Sequence, residues 1–301
     1  MTRSASTGWV AALDHPGFGV ALRAVTCVLV LIFFQVGYYW GYQLHHGPGV
    51  FNAELALDRW LPLVPEFIVF YMLGYVFVLV PCLAVHRRHD FYAATVAFCL
   101  ILAIGFLLFR YVPVHMQKPL ATGAEWFSRW TRFQQAVDTP YNNFPSLHVA
   151  LNVFAYGLLT WQAGRLSRWW LPVPILIVLS TLLVKQHLVL DVLAGFALAG
   201  LGMVAFRWLQ ARPPRQVIAA FVVCFSGLLL LLATHLERLS HTWRKISRFV
   251  SAGGAAAEVV AAGLAVLLVF GWLAGRQRAR SRDGAVAGSR HASGQGAKSP
   301  R

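Results

Sequence analysis

The sequence predicts an all-α fold: a polytopic membrane protein with a six-helix core bundle and two extra spans toward the C-terminus. Three observations predict it. The 301-residue chain is 58% hydrophobic and only 12% charged, whereas about a quarter of the residues of a soluble domain are charged. Apolar runs near the ~18 to 20 residues that cross a hydrocarbon core recur along most of the length. The arginines fall mainly in the short segments between those runs.

The elements follow in chain order. Residues 1–19 precede the first run, "ALRAVTCVLVLIFFQVGYYWGYQL". That run is too long for a signal-peptide core and lacks a small-residue cleavage pattern after it, so it reads as a retained span. Further spans begin near residues 61 and 92. Between the third and fourth lies the longest internal loop, "VHMQKPLATGAEWFSRWTRFQQAVDTPYNNFP". Its Trp126, Phe127, Trp130 and Phe133 have helical spacing with arginines between them, which fits an amphipathic helix lying in the interface. An aromatic belt at headgroup depth accounts for the same residues.

Spans beginning near 147, 169 and 187 complete a core over residues 20–210. Residues 211–275 hold two additional spans, from near 216 and 253, around a basic aromatic segment "HLERLSHTWRKISRFVSAGG". Residues 276–301 form a disordered basic tail.

The formal charge of +15 raises nucleic acid as a partner. Its placement between spans argues instead for the bilayer and anionic lipid. Arg87, Arg88, Arg165, Arg168, Arg207, Arg212 and Arg215 lie in one set of short loops, against Arg59 and Lys185 in the alternate set. The expectation is therefore an inner-membrane, multi-pass protein with both termini cytoplasmic. Cys27, Cys82, Cys99 and Cys224 sit inside apolar runs without metal-ligand spacing, so they read as apolar packers. No metal or other cofactor is expected.

Span parity places four polar clusters on the non-cytoplasmic face: Lys118, "PSLH" (145 to 148), Ser180 with Thr181, and "KQHLVLD" (185 to 191). His187 and Asp191 are four apart; on a helix they share a face, and the carboxylate can accept an imidazole N–H. That bond would fix the tautomer and leave the other ring nitrogen as nucleophile or base. A satisfied buried polar pair has the same spacing, although an ionisable residue at a membrane span is costly and functional by default. In "PSLH", Pro145 suits a first helical turn, and Ser146 with helix-end N–H groups makes an anion site beside His148. Alone, the motif reads equally as a helix cap. Two histidines, a carboxylate, helix-end donors and a lysine together suit phosphoryl transfer without a metal.

These residues resemble the type-2 phosphatidic acid phosphatase superfamily. That family's pattern has three parts: Lys-x6-Arg-Pro, Pro-Ser-x-His and Ser-Arg-x5-His-x3-Asp. The second is intact as "PSLH", and the third is "STLLVKQHLVLD", with Thr181 where arginine is usual. The first is degenerate: in "RYVPVHMQKP", Lys118-Pro119 stand for Arg-Pro, Tyr111 occupies the lysine position, and Arg110 is one residue off register. The resemblance covers about residues 50 to 210. The Ser-Thr start, the "KQH" lead-in and "LDRWLPLVPEFIVFYMLGYVF" resemble its inositol phosphotransferase and sphingolipid synthase branch.

The resemblance implies His187 as the nucleophile that forms a phosphohistidine, Asp191 as its orienting carboxylate, and His148 as general acid and then base. It implies Ser146, Ser180 and Lys118 as phosphate ligands, with Lys185, Arg110 and Asn143 as further candidates. The partners implied are a membrane lipid carrying a phosphate or phosphodiester and, for a transferase, a lipid alcohol acceptor. A simple lipid phosphate or isoprenyl diphosphate phosphatase is the alternative. A non-catalytic membrane protein that retained the fold is a third reading.

Overall fold

The structure, a computed structural model, describes residues 16–42, 50–85, 87–138 and 140–235. The helices are α1 (Pro16–Tyr42), α2 (Ala56–Trp60), α3 (Ile68–Phe77), α4 (Val80–Ala84), α5 (Arg88–Tyr111), α6 (Trp126–Val137), α7 (Leu147–Ala163), α8 (Pro172–Leu183), α9 (Val189–Gln210) and α10 (Pro214–His235). Short 3-10 turns at Pro65–Phe67 and Gly164–Trp170 lead into α3 and α8. Isolated bridges join Phe51 to Val114 and Val114 to Asn142. The expected all-α polytopic architecture is present: helices stand at seven of the eight expected span positions, and four of them are long and apolar enough to cross a membrane. The eighth span, the basic segment before it and the tail lie outside the described residues, as does most of the 1–19 segment.

Leu22–Gly41, Pro65–Cys82, Arg88–Tyr111 and Val189–Gln210 are long and apolar enough to cross a membrane. Ser167–Leu183 and Pro214–Leu230 are shorter apolar stretches. The second span is broken by a turn at Val78 and Leu79. Pro81, inside α4, has no N–H to continue the ladder back to Phe77, which accounts for the break. At the end of α7, Gly164 adopts φ 56°, a left-handed position that a glycine takes without steric cost.

α9 packs along α7 and α5, and α5 packs in turn along α1 and α10. The core between them is aromatic and aliphatic: Leu102, Phe106, Phe109, Leu151, Phe154 and Phe206 are all buried. Burying such side chains contributes about 1.5 to 3 kcal/mol each in water. Within lipid, close packing carries more of the load. Gly195 of α9 permits the closest approach, since a Cβ there would lie 2.7 Å from the Ser146 carbonyl oxygen. That approach brings the start of α7 against the first turns of α9, where the Ser146 N–H donates to the Asp191 carbonyl at 2.9 Å.

The loops at this end of the bundle are tied to one another. Phe51 N–H donates to the Pro113 carbonyl (2.9 Å), Val64 N–H to Leu183 (2.8 Å) and Met116 N–H to Pro140 (3.1 Å). Asn142 Nδ2 donates to the Tyr38 carbonyl at 2.7 Å. The opposite end has its own ties: Arg23 donates to the Cys82 carbonyl (3.1 Å), and His89 Nε2 lies 3.0 Å from the Gln210 carbonyl. The four polar clusters thus gather at a single end.

Candidate active site

His187 is set by a tight turn after α8. The N–H groups of both Gln186 and His187 donate to the Thr181 carbonyl, at 3.0 and 3.1 Å. Lys185 takes φ 54° within that turn, a strained value for a side chain with a Cβ. Its ammonium donates to the Asp58 carbonyl at 2.6 Å, and desolvation pulls its pKa below the ordinary lysine value.

The expected helical pairing of His187 with Asp191 is corrected in one respect. Helix α9 begins at Val189 with Leu188 as its N-cap, so His187 precedes the helix. Its Nδ1 lies 3.1 Å from the Asn143 carbonyl and 3.6 Å from Asp191 Oδ2. The first is a hydrogen bond and the second a charge contact. With the carbonyl as acceptor, the proton is assigned to Nδ1 and the lone pair to Nε2. Asp191 Oδ2 accepts from the Leu188 N–H at 2.7 Å, while its Oδ1 is buried without a hydrogen-bond partner. The carboxylate is therefore held rigidly beside the imidazole.

His148 sits in the first turn of α7. Ser146 is the N-cap, its hydroxyl accepting from the Val149 N–H at 3.2 Å, and Pro145 precedes that cap instead of opening the first turn. The His148 ring stacks on Tyr71, with centroids 4.1 Å apart and planes 2° apart. Tyr75 meets it edge-on at 5.2 Å and 81°. Its Nε2 is buried without a partner, pressed against α3 at Gly74.

Two cavities meet at this place. One, of about 500 Å³, is largely apolar and is lined by His148, His187, Lys118, Asn143 and Asp138, then by Phe34, Val30 and Thr26 of α1. The other, of about 1020 Å³, is more polar: Asn52, Glu54, Arg59, Tyr141, Lys118 and Lys185 line it among apolar residues such as Phe51 and Leu63. His187 and Lys118 line both. The Lys118 ammonium donates to Gln186 Oε1 at 2.6 Å, so the residue next to the nucleophile candidate holds it. Among the described residues, Lys118 is the one lysine or arginine lining the apolar cavity.

The remaining sequence candidates are engaged with protein groups. Arg110 rests on Trp40, 4.4 Å from its ring, and donates to the Trp40 carbonyl at 3.2 Å. It lines neither cavity. Ser180 is fully buried, and its hydroxyl donates to the Ile177 carbonyl of its own helix at 2.6 Å. Thr181 does the same toward Val178 at 2.7 Å. Asn143 ties the loop through Nδ2, donating to the Val114 and Pro140 carbonyls at 3.0 and 2.6 Å, and meets His187 through its backbone carbonyl. Among the described residues, no cluster of His, Cys, Asp or Glu has the arrangement of a metal site.

Two carboxylates escaped the sequence reading. Asp138 accepts from Gln134, Tyr71 and Tyr38 (2.6, 3.2 and 3.3 Å). Asp58, buried, accepts from the Leu55 N–H (2.8 Å) and the Val189 N–H (2.8 Å). It joins α2 to the start of α9, two residues beyond His187. Replacing it, as in Asp58→Ala, leaves two N–H groups unsatisfied and is expected to cost about 2 kcal/mol. Thermal unfolding in detergent should register this as a lowered midpoint.

Fold and site together define a class: a helical membrane protein in which a histidine and a lysine stand where a largely apolar cavity meets a more polar one, with a second histidine lining the first. Residues 48–206 match the family model of the PAP2 superfamily, and the chain belongs to that superfamily. The match supports a phosphatase-type lipid enzyme. No curated protein and no solved structure matches the chain.

Proposed function

We propose that the protein transfers a phosphoryl group from a membrane lipid phosphate or phosphodiester through a phosphohistidine on His187. The observation that carries the reading is the position of His187 and Lys118 at the junction of the two cavities. An apolar chain can lie on the α1 side while a polar headgroup or acceptor occupies the other side, with phosphorus between them. The Nε2 lone pair of His187 attacks phosphorus, and His148, protonated, gives its proton to the departing oxygen. Asp191 balances the cationic ring that results, and the Lys118 ammonium faces the non-bridging oxygens. In the second half, His148 takes the proton of the incoming hydroxyl, whose oxygen attacks phosphorus and releases His187.

The size and polarity of the second cavity favour a transferase of the inositol phosphotransferase or sphingolipid synthase type, because an acceptor or headgroup larger than water has room there. The charge pattern of the loops supports a site on the non-cytoplasmic face. Purified protein incubated with phosphatidic acid, isoprenyl diphosphate or phosphatidylinositol, with and without ceramide or diacylglycerol, tests the reading. A new lipid product that depends on the acceptor is expected. Acceptor-independent inorganic phosphate as the sole product would make the enzyme a simple phosphatase.

A further inference from the structure

We infer that Asp138 is a positioning residue for His148, acting through the phenol of Tyr71. The inference rests on the general-acid role of His148 proposed above. Asp138 stands just past α6, in the long loop, yet its carboxylate lies inside the bundle as the acceptor of three side chains from three elements. Tyr38 reaches it from α1 (3.3 Å), Tyr71 from α3 (3.2 Å) and Gln134 from α6 (2.6 Å). Gln134 also donates to the Tyr75 hydroxyl at 3.0 Å. Both rings that enclose His148 are therefore anchored, at their hydroxyl ends, to one carboxylate and the amide beside it.

The arrangement suits a proton donor. A histidine next to an apolar cavity has few groups to stabilise its charged form, and its Nε2 makes no hydrogen bond here. The ring faces, the Tyr71 backbone and the nearby Asp138 charge are what can stabilise it. The parallel stack on Tyr71 at 4.1 Å places the imidazolium over a π face, a contact worth more when desolvated. The Tyr71 O–H donating to a carboxylate makes that ring more electron-rich. The same bond prevents the ring from turning away when the imidazole changes charge. Asp138 thus orients the acid and favours its charged form without meeting the substrate's phosphorus.

Leaving-group dependence separates this role from a structural one. An alkoxide must be protonated as it departs, whereas a nitrophenolate leaves unaided. The probes are dodecyl glyceryl phosphate and dodecyl 4-nitrophenyl phosphate, each followed through its first turnover on full-length protein in detergent, so that leaving-group release is read before the acceptor step. Asp138→Ala and Tyr71→Phe should each slow first-turnover release of the leaving group from the glyceryl ester by about 10- to 100-fold, while the substrate concentration for half-maximal rate stays within about 3-fold and first-turnover nitrophenolate release is nearly unaffected. Tyr71→Phe removes one oxygen and keeps the stack, so it reports on the link itself. Asp138→Asn, which keeps an acceptor for Tyr71, should recover part of the loss. If His148→Ala shows the leaving-group dependence and Tyr71→Phe does not, the inference is wrong and the acid role stands. If His148→Ala slows first-turnover release from both esters equally, the acid role itself falls. A loss on both esters in Tyr71→Phe would also overturn the positioning role.

Discussion

Protein carrying His187→Ala will take up no acid-labile phosphate when mixed with a phosphorus-labelled lipid substrate, and its turnover will fall by a factor on the order of 10⁴. Three features of the site make this the largest expected loss. Nδ1 is committed to the Asn143 carbonyl, so Nε2 is the nucleophilic atom. The backbone around it is fixed by two bonds to the Thr181 carbonyl, so no neighbour can swing in as a substitute. The ring also stands where both cavities open, whereas His148 lines the apolar one alone. Its Nε2 is closed off against α3. The paired control is His148→Ala with dodecyl 4-nitrophenyl phosphate. That leaving group needs no proton, so the phosphohistidine should form, and without a base to activate the acceptor it should accumulate. Label on His187→Ala at the wild-type level would remove His187 from the mechanism.

The fold was legible because it depends on composition and run length. The seven expected spans that fall within the described residues correspond to helices, and the three motif-bearing segments meet because short connections make successive helices run back and forth, bringing alternate ends to one side. Local geometry at those ends was less legible. The four-residue spacing of His187 and Asp191 suggested a shared helical face, but α9 starts two residues later, and Asp191 spends one oxygen on capping it. Periodicity places helix starts within a few residues, and here those residues decide which group holds the imidazole.

The degenerate first motif shows a different limit. Arg110 and Lys118 both carry the right charge, but α5 ends at Tyr111 and leaves Arg110 on Trp40, while the extended chain after it carries Lys118 to the cavity. The amphipathic helix was found by its aromatic residues. Its contribution to the site comes from Gln134 and Asp138 on the inward side, a contact across 67 residues of chain to Tyr71 that no local pattern announces. The one readable signal was Tyr71, Gly74 and Tyr75, which share a face of α3 at helical spacing.

That face carries the second large effect. Gly74→Ala is expected to lower turnover of alkyl substrates by about 10²- to 10³-fold, close to the loss from removing His148 itself, although residue 74 touches no substrate. A Cβ at Gly74 would fall within 3 Å of both Nε2 and Cε1 of His148 and 3.1 Å from Asn152 Nδ2. The imidazole cannot slide sideways to make room, because Tyr71 lies flat against one face and Tyr75 meets it edge-on, and both are anchored toward Asp138 and Gln134. The remaining escape is rotation out into the cavity, which leaves the proton donor off line. Global stability should change little, since alanine favours the helix by about 1 kcal/mol over glycine and the displaced ring has a cavity to enter. Thermal unfolding and the two-ester comparison measure the two effects separately. A variant with wild-type turnover on the glyceryl ester would mean that His148 works from a different rotamer than the one stacked on Tyr71. A variant that has lost both esters with an unchanged midpoint would mean that the added methyl blocks the cavity instead of moving the acid.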